Sequence, residues 1–229
     1  MSLKSYTESL NDLCESLRIE KDYAFALRYR GQVYFIIKHY SESLADLSRS
    51  LELEPDNAVA LGSGEQTYYM LNQYQESLAY LSKSLKINPN NAIARSVRGQ
   101  VYYILESYDE AYADLTESLK FDPSNHDALV HLGYSCFKMK KYEESLKYLT
   151  KSLENDPGNR IALRFLGQVI YELKMYKECI ENSNLFEISP ENLDALRTRA
   201  NAYCMLGKYQ ASLDILSQVL TLDRCNAYT

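Results

Sequence analysis

Glutamine stands at positions 32, 66, 100 and 168, and three residues after each comes an aromatic ring, Phe35, Tyr69, Tyr103 and Tyr171. The same two columns continue as Tyr134 with Phe137 and as Asn201 with Cys204. A carboxamide both donates and accepts hydrogen bonds, so a row of them can pair with an extended peptide backbone, and rings beside them add apolar contact at low entropic cost. Arg28, Arg164 and Arg197 stand four residues ahead of Gln32, Gln168 and Asn201, where a guanidinium would attract carboxylate or phosphate. The columns have a second use. Glutamine is a good helix former, and the rings would equally pack between neighbouring helices.

Nothing of comparable regularity points to catalysis. The sequence contains no GxGxxG, P-loop, GxSxG or HExxH pattern. Ser9, Ser43, Ser77, Ser145 and Ser212 each precede a leucine, and they read as helix-interior packing residues whose hydroxyls bond the carbonyl of the preceding turn. The five cysteines form no CxxC pair, and His39, His126 and His131 have no partner at a metal-ligand spacing, so neither a metal nor another cofactor is expected. Unpaired cysteine usage favours a reducing compartment. No stretch approaches the roughly 20 apolar residues of a membrane span, and the start lacks a signal-peptide pattern. These features together predict a cytoplasmic, non-enzymatic protein without a membrane partner.

What positions the columns is a repeat. Tyrosine recurs at 6, 40, 74, 108, 142, 176 and 209, proline at 55, 89, 123, 157 and 190, and asparagine at 57, 91, 125, 159, 192 and 226. Three residue types held in phase mean one structural unit copied along the chain. Within one period, Val97, Val101, Ile104 and Leu105 precede a turn at Ser107-Tyr108, and Ala111, Leu115, Leu119 and Phe121 follow it. Apolar spacing of three and four on both sides predicts two amphipathic helices. Pro123 cannot continue the second helix, and Asn125 can cap the next one. Neither helix buries its apolar stripe alone, so units must stack.

These marks resemble the tetratricopeptide repeat. The small residue of the first helix falls at Gly31, Gly99, Gly133 and Gly167, and the aromatic three residues later at Tyr34, Tyr68, Tyr102 and Tyr203. The small residue of the second helix is Ser43, Ser77, Ala111, Ser145, Cys179 and Ser212. In that register residues 1–23 form a half repeat with a lone second helix from Thr7 to Ile19. Full repeats then cover 24–57, 58–91, 92–125, 126–159, 160–192, which is one residue short, and 193–226, leaving a tail at 227–229. The resemblance implies an all-α, right-handed superhelical solenoid of antiparallel helix pairs, its concave face lined by first helices. On that face the peptide-binding residues would be Arg28, Gln32, Phe35, Gln66, Tyr69, Gln100, Tyr103, Tyr134, Phe137, Arg164, Gln168, Tyr171, Arg197 and Asn201.

Charge narrows the partner. The first helices hold nine basic and four acidic residues on a chain of net charge −6, so the implied groove is basic on an acidic protein. An acidic or phosphorylated protein segment would be steered there, whereas nucleic acid would meet an acidic molecule. Arg30, Arg98 and Arg199 are placed to run between helices and pair internally. Tetratricopeptide repeats that grip the carboxylate of chaperone tails require a pattern of lysine, arginine and asparagine over three successive units, which this chain does not show.

Two departures stand out. Glu65 occupies the place of the repeat glycine, with Gly62 and Gly64 before it, and a carboxylate there must reach solvent or find a partner. The fifth unit lacks one residue between Cys179 and Pro190, within a run Glu181-Asn182-Ser183-Asn184 that forms helix poorly. At the far end, Leu213, Leu216, Val219 and Leu220 are expected to form an apolar stripe with no following helix, and Asn226 to cap a further one. Either the chain is a piece of a longer array or that stripe pairs with another copy. The alternatives to a peptide-binding adaptor are therefore a self-associating structural repeat and a targeting module of a larger enzyme.

Overall fold

The structure is a computed structural model that describes residues 3–181 and 193–226. The described residues are helical, in the order α1 (Leu3–Ile19), α2 (Ala24–Ile36), α3 (Tyr40–Leu53), α4 (Ala58–Met70), α5 (Tyr74–Ile87), α6 (Ala92–Ile104), α7 (Tyr108–Phe121), α8 (His126–Lys138), α9 (Tyr142–Asn155), α10 (Arg160–Glu172), α11 (Tyr176–Glu181), α12 (Leu193–Met205) and α13 (Tyr209–Asn226). They fall into two compact units, residues 1–105 and 106–229. In the first, α2 packs on α3 and α4 on α5, while α2 also touches α4. In the second, α8 packs on α9 and α12 on α13, with α8 touching α10 and α10 touching α12. Within the units, α2 beside α4, α8 beside α10 and α10 beside α12 are first helices of successive repeats side by side, which is what brings amides and aromatic rings together there.

The repeated asparagines cap as expected. Asn57, Asn91, Asn125 and Asn159 accept hydrogen bonds from the backbone N–H of Ala60, Ala94, Ala128 and Ala162 at 2.8 to 3.1 Å. Each satisfies a donor that the first helical turn leaves open. Asn192 and the shortened stretch before Pro190, including Asn182 to Asn184, lie outside the described residues. Asn226 is not a cap but the last residue of α13. The first helix begins at Leu3, ahead of the expected Thr7.

The turn between paired helices contains a device that periodicity could not reveal. Lys38, Asn72, Glu106, Lys140 and Lys174 adopt φ between 57° and 65°, and Gly207 has φ 73°. Lys38 donates its N–H to Phe35 and His39 donates to Tyr34, the paired bonds of a Schellman motif. A left-handed conformation at a residue with a Cβ costs about 1 kcal/mol. The following tyrosine supports the turn, since Tyr40, Tyr74, Tyr142 and Tyr176 each pack within 5.9 Å of the ring three residues before the left-handed residue, namely Phe35, Tyr69, Phe137 and Tyr171.

Within a pair, the approach is set by small residues. A Cβ on Gly31 would stand 2.8 Å from Leu47 Cγ, and one on Gly133 would stand 2.7 Å from Leu149. Those leucines are completely buried. The serines at 43, 77, 145 and 212 are buried too, and two of them bond across their helix pair rather than to their own preceding turn. Ser145 Oγ donates to the Gly133 carbonyl at 2.7 Å, and Ser212 Oγ donates to the Ala200 carbonyl at 2.8 Å. The terminal stripe is only partly exposed. Leu213, Leu216 and Leu220 are open, but Val219 is 4% exposed, because it lies on the side of α13 turned toward α12.

Candidate functional site

In the first unit, Phe35, Gln66, Tyr69 and Gln100 line a cavity of about 450 Å³ together with Leu61, Glu65, Tyr80, Leu81 and Val97. In the second, Phe137, Gln168, Tyr171 and Asn201 line one of about 660 Å³ that also holds Glu172, Thr198, Cys204 and Met205. Each cavity therefore joins amides from two neighbouring first helices to aromatic rings. Eight of the fourteen sequence-derived residues are gathered in this way.

The other six are placed differently. Arg28 is not an open cation, since its Nη1 donates to Glu54 at 2.8 Å and its guanidinium lies over the rings of Phe25 and Tyr29. Gln32 donates to Ser63 Oγ at 3.1 Å, tying α2 to α4. Tyr103 is half-buried. Tyr134 is 4% exposed and stacks on Phe165 with ring centroids 4.0 Å apart, so in this unit the amide column is interrupted by a core residue. It cannot serve as a groove contact in this conformation, because α10 already covers its ring. Arg164 and Arg197 are exposed, with the Arg164 guanidinium 5.2 Å from the Phe165 ring.

Of the arginines expected to pair internally, Arg30 does so. It donates to both carboxylate oxygens of Asp46 at 2.7 and 2.8 Å, and that pair holds its guanidinium firmly charged. One period later the same two places are occupied by Gly64 and Tyr80. A Cβ on Gly64 would stand 2.5 Å from the Tyr80 ring, so this glycine makes room for an aromatic where the first repeat has an ion pair.

Similarity to known proteins agrees with this geometry. Residues 70–152 match the family model for the anaphase-promoting complex, cyclosome, subunit 3. The protein YrrB, described as a TPR protein with an unusual peptide-binding site, has a similar structure at 19% identity and TM-score 0.70, covering 80% of this chain and 95% of that one. PilF of Pseudomonas aeruginosa is similar at 17% identity and TM-score 0.67, covering 90% and 97%. The chain has the tetratricopeptide-repeat fold. Among curated proteins, none matches it at a significant level. The first TPR of Spaghetti, solved with the HSP90 peptide SRMEEVD, is similar at 24% identity and TM-score 0.50 over 51% of this chain and 93% of that one.

Against the tetratricopeptide pattern, Glu65 is the largest anomaly. It is largely withdrawn from solvent and finds no partner. It is 7% exposed, and among the described residues no ion pair or hydrogen bond reaches its carboxylate. Burial pushes its pKa up to about 7. Sequence reasoning flagged the residue as out of place but did not assign it to the groove, because its repeat position normally faces the paired helix. The structure brings it to the wall of the first cavity.

Proposed function

We propose that this chain is a non-catalytic protein-interaction scaffold that holds an extended peptide segment of another protein against the first helices of its tetratricopeptide repeats. The observation that carries the reading is the juxtaposition of carboxamides and rings in one cavity, Gln66 and Gln100 with Tyr69 in the first unit, and Gln168 and Asn201 with Tyr171 in the second. Such amides meet both the N–H and the C=O of a backbone, and tyrosine rings cover apolar side chains without many frozen rotors. Tetratricopeptide proteins of similar fold are described as peptide-binding, which supports the same use here. A cytoplasmic setting goes with this reading, supported by free thiols at Cys14, Cys136 and Cys204 and by the lack, among the described residues, of a helix long and apolar enough to cross a membrane.

For the second unit the proposed segment is acidic. Arg164 and Arg197 are exposed on α10 and α12, the helices that supply Gln168 and Asn201 to its cavity. An Asp/Glu-rich heptapeptide selected on the protein should bind more weakly as salt is raised, because the Debye length falls from about 10 Å at 0.1 M to about 3 Å at 1 M. Alanine at both Arg164 and Arg197 should weaken it about 3- to 30-fold, the range for two exposed charge contacts at up to about 1 kcal/mol each, and should flatten the salt dependence. Calorimetric titration at low and high salt measures both. Affinity indifferent to salt and to the two arginines would remove the acidic specification.

A second reading rests on α13, where Leu213, Leu216 and Leu220 are 57%, 37% and 62% exposed along one face. A contiguous apolar face of this kind marks an interface. Weak self-association through it should appear as a mass that rises with concentration in light scattering. Glutamate at Leu213 and Leu216 should abolish the rise. A parent that stays monomeric at high concentration would end this reading.

A further inference from the structure

Glu65 gives the first cavity a chemistry that the second lacks. The second also has a carboxylate on its wall, Glu172, but that residue is exposed and hydrated. Glu65 is 93% shielded, and no cation, hydroxyl or amide among the described residues offsets its charge. The lining of the first cavity contains no lysine, arginine or histidine. Removing a carboxylate from water without a partner is costly, and native structures rarely keep such a group unless something completes it.

From this geometry we infer that the cavity between α4, α5 and α6 takes a lysine or arginine side chain from the bound peptide, with Glu65 as its counter-ion. The inference rests on the peptide-scaffold reading and specifies what one subsite of that scaffold accepts. Leu61, Leu81 and Val97 line the cavity and suit the aliphatic stem of a long basic side chain. Tyr69 and Tyr80 present rings beside it, over which a cation is favoured. The head group would reach the carboxylate, and a guanidinium can do so with two parallel bonds. An anionic side chain would be repelled, and a purely apolar one would strip the remaining water from Glu65 without replacing it. A metal ion has little to bind, since no group of three or more metal-ligating side chains exists among the described residues.

The local sequence makes this subsite distinct from its repeats. At the corresponding place of the first repeat, a Cβ on Gly31 would press on Leu47. With glutamate there, a side chain stands at the α4 and α5 approach, and Leu81, the counterpart of Leu47, remains on the cavity wall. Gly62 faces open space, so the mouth of the cavity is unobstructed.

Five pools of acetylated, amidated heptapeptides test the inference, sharing one randomised background and differing only in a central arginine, lysine, citrulline, norleucine or glutamate. Binding to the full chain is compared with binding to Glu65→Gln, after circular dichroism shows that the variant is folded. The arginine and lysine pools are expected to bind the parent at least tenfold better than the citrulline and norleucine pools, with the glutamate pool below the basic pair. In Glu65→Gln, arginine and citrulline should become equal. Equal binding of all five pools to the parent, or a basic preference that survives Glu65→Gln, overturns the counter-ion and leaves the scaffold reading standing. A neutral Glu65 that merely donates to a peptide carbonyl would give the first of those results. Failure of every pool to bind overturns both.

Discussion

Glutamine in place of Glu65 is expected to stabilise the free protein by up to about 3 kcal/mol at pH 8 and to have little effect at pH 4. The carboxyl group carries a pKa raised from 4.5 to about 7, caused by burial. The folded state therefore binds the proton more tightly than the unfolded chain between these values. Stability from this group is fully present below about pH 4.5, declines as pH rises, and is lost once pH has passed about 7. Each pH unit of separation corresponds to about 1.4 kcal/mol, which sets the ceiling. The other titratable groups on the cavity wall are the phenols of Tyr69 and Tyr80, and burial raises the pKa of Tyr69 above the usual phenol value. Denaturant unfolding of parent and variant at pH 4, 5.5 and 8 isolates the contribution, because every other ionisation is common to both. A difference independent of pH would mean that the carboxylate is hydrated in the native protein. Stabilisation combined with loss of the basic-peptide preference would be the signature of a residue kept for binding at the expense of the fold.

Tyr134→Ala should cost about 3 to 5 kcal/mol of stability, the range for deleting a large buried aromatic. Its ring is 4% exposed, stacks on Phe165 at 4.0 Å and meets His131 edge-on at 5.7 Å. Truncation would leave a cavity between α8 and α10 and remove the surface on which Phe165 rests. Tyr134→Phe keeps the ring and should retain most of that stability. Tyr171 supplies the contrast. It is 45% exposed and lines the second cavity, so Tyr171→Ala should change stability by about 1 kcal/mol or less while weakening peptide binding. Thermal melts beside peptide titrations for the three variants separate the roles. If Tyr134→Ala folds with near-parental stability and loses peptide affinity instead, Tyr134 belongs to the groove after all.

Tyr134 also shows why the site was only partly legible. Gln32, Gln66, Gln100, Tyr134, Gln168 and Asn201 occupy one repeat position and so share a nominal direction on their helices. Direction alone does not state what lies opposite. In the first unit the neighbour of Gln32 is Ser63, which it bonds; in the second, the neighbour of Tyr134 is Phe165, which covers it. Arg28 was legible as a cation four residues before Gln32, but Glu54, 26 residues away, engages it in the folded chain.

The sequence by itself determined the helix pairs, their asparagine caps, their close glycine approaches and the tetratricopeptide class. These depend on residues separated by a turn or by one fixed period, where backbone geometry leaves few alternatives. Only the tertiary structure decided which members of each column remain open, that Ser145 and Ser212 bond across their pairs, and that Glu65 lies largely buried without a counter-charge. Those outcomes depend on what a neighbouring repeat presents at a few ångströms. In imperfect copies that environment changes from one repeat to the next, even where the position in the period does not.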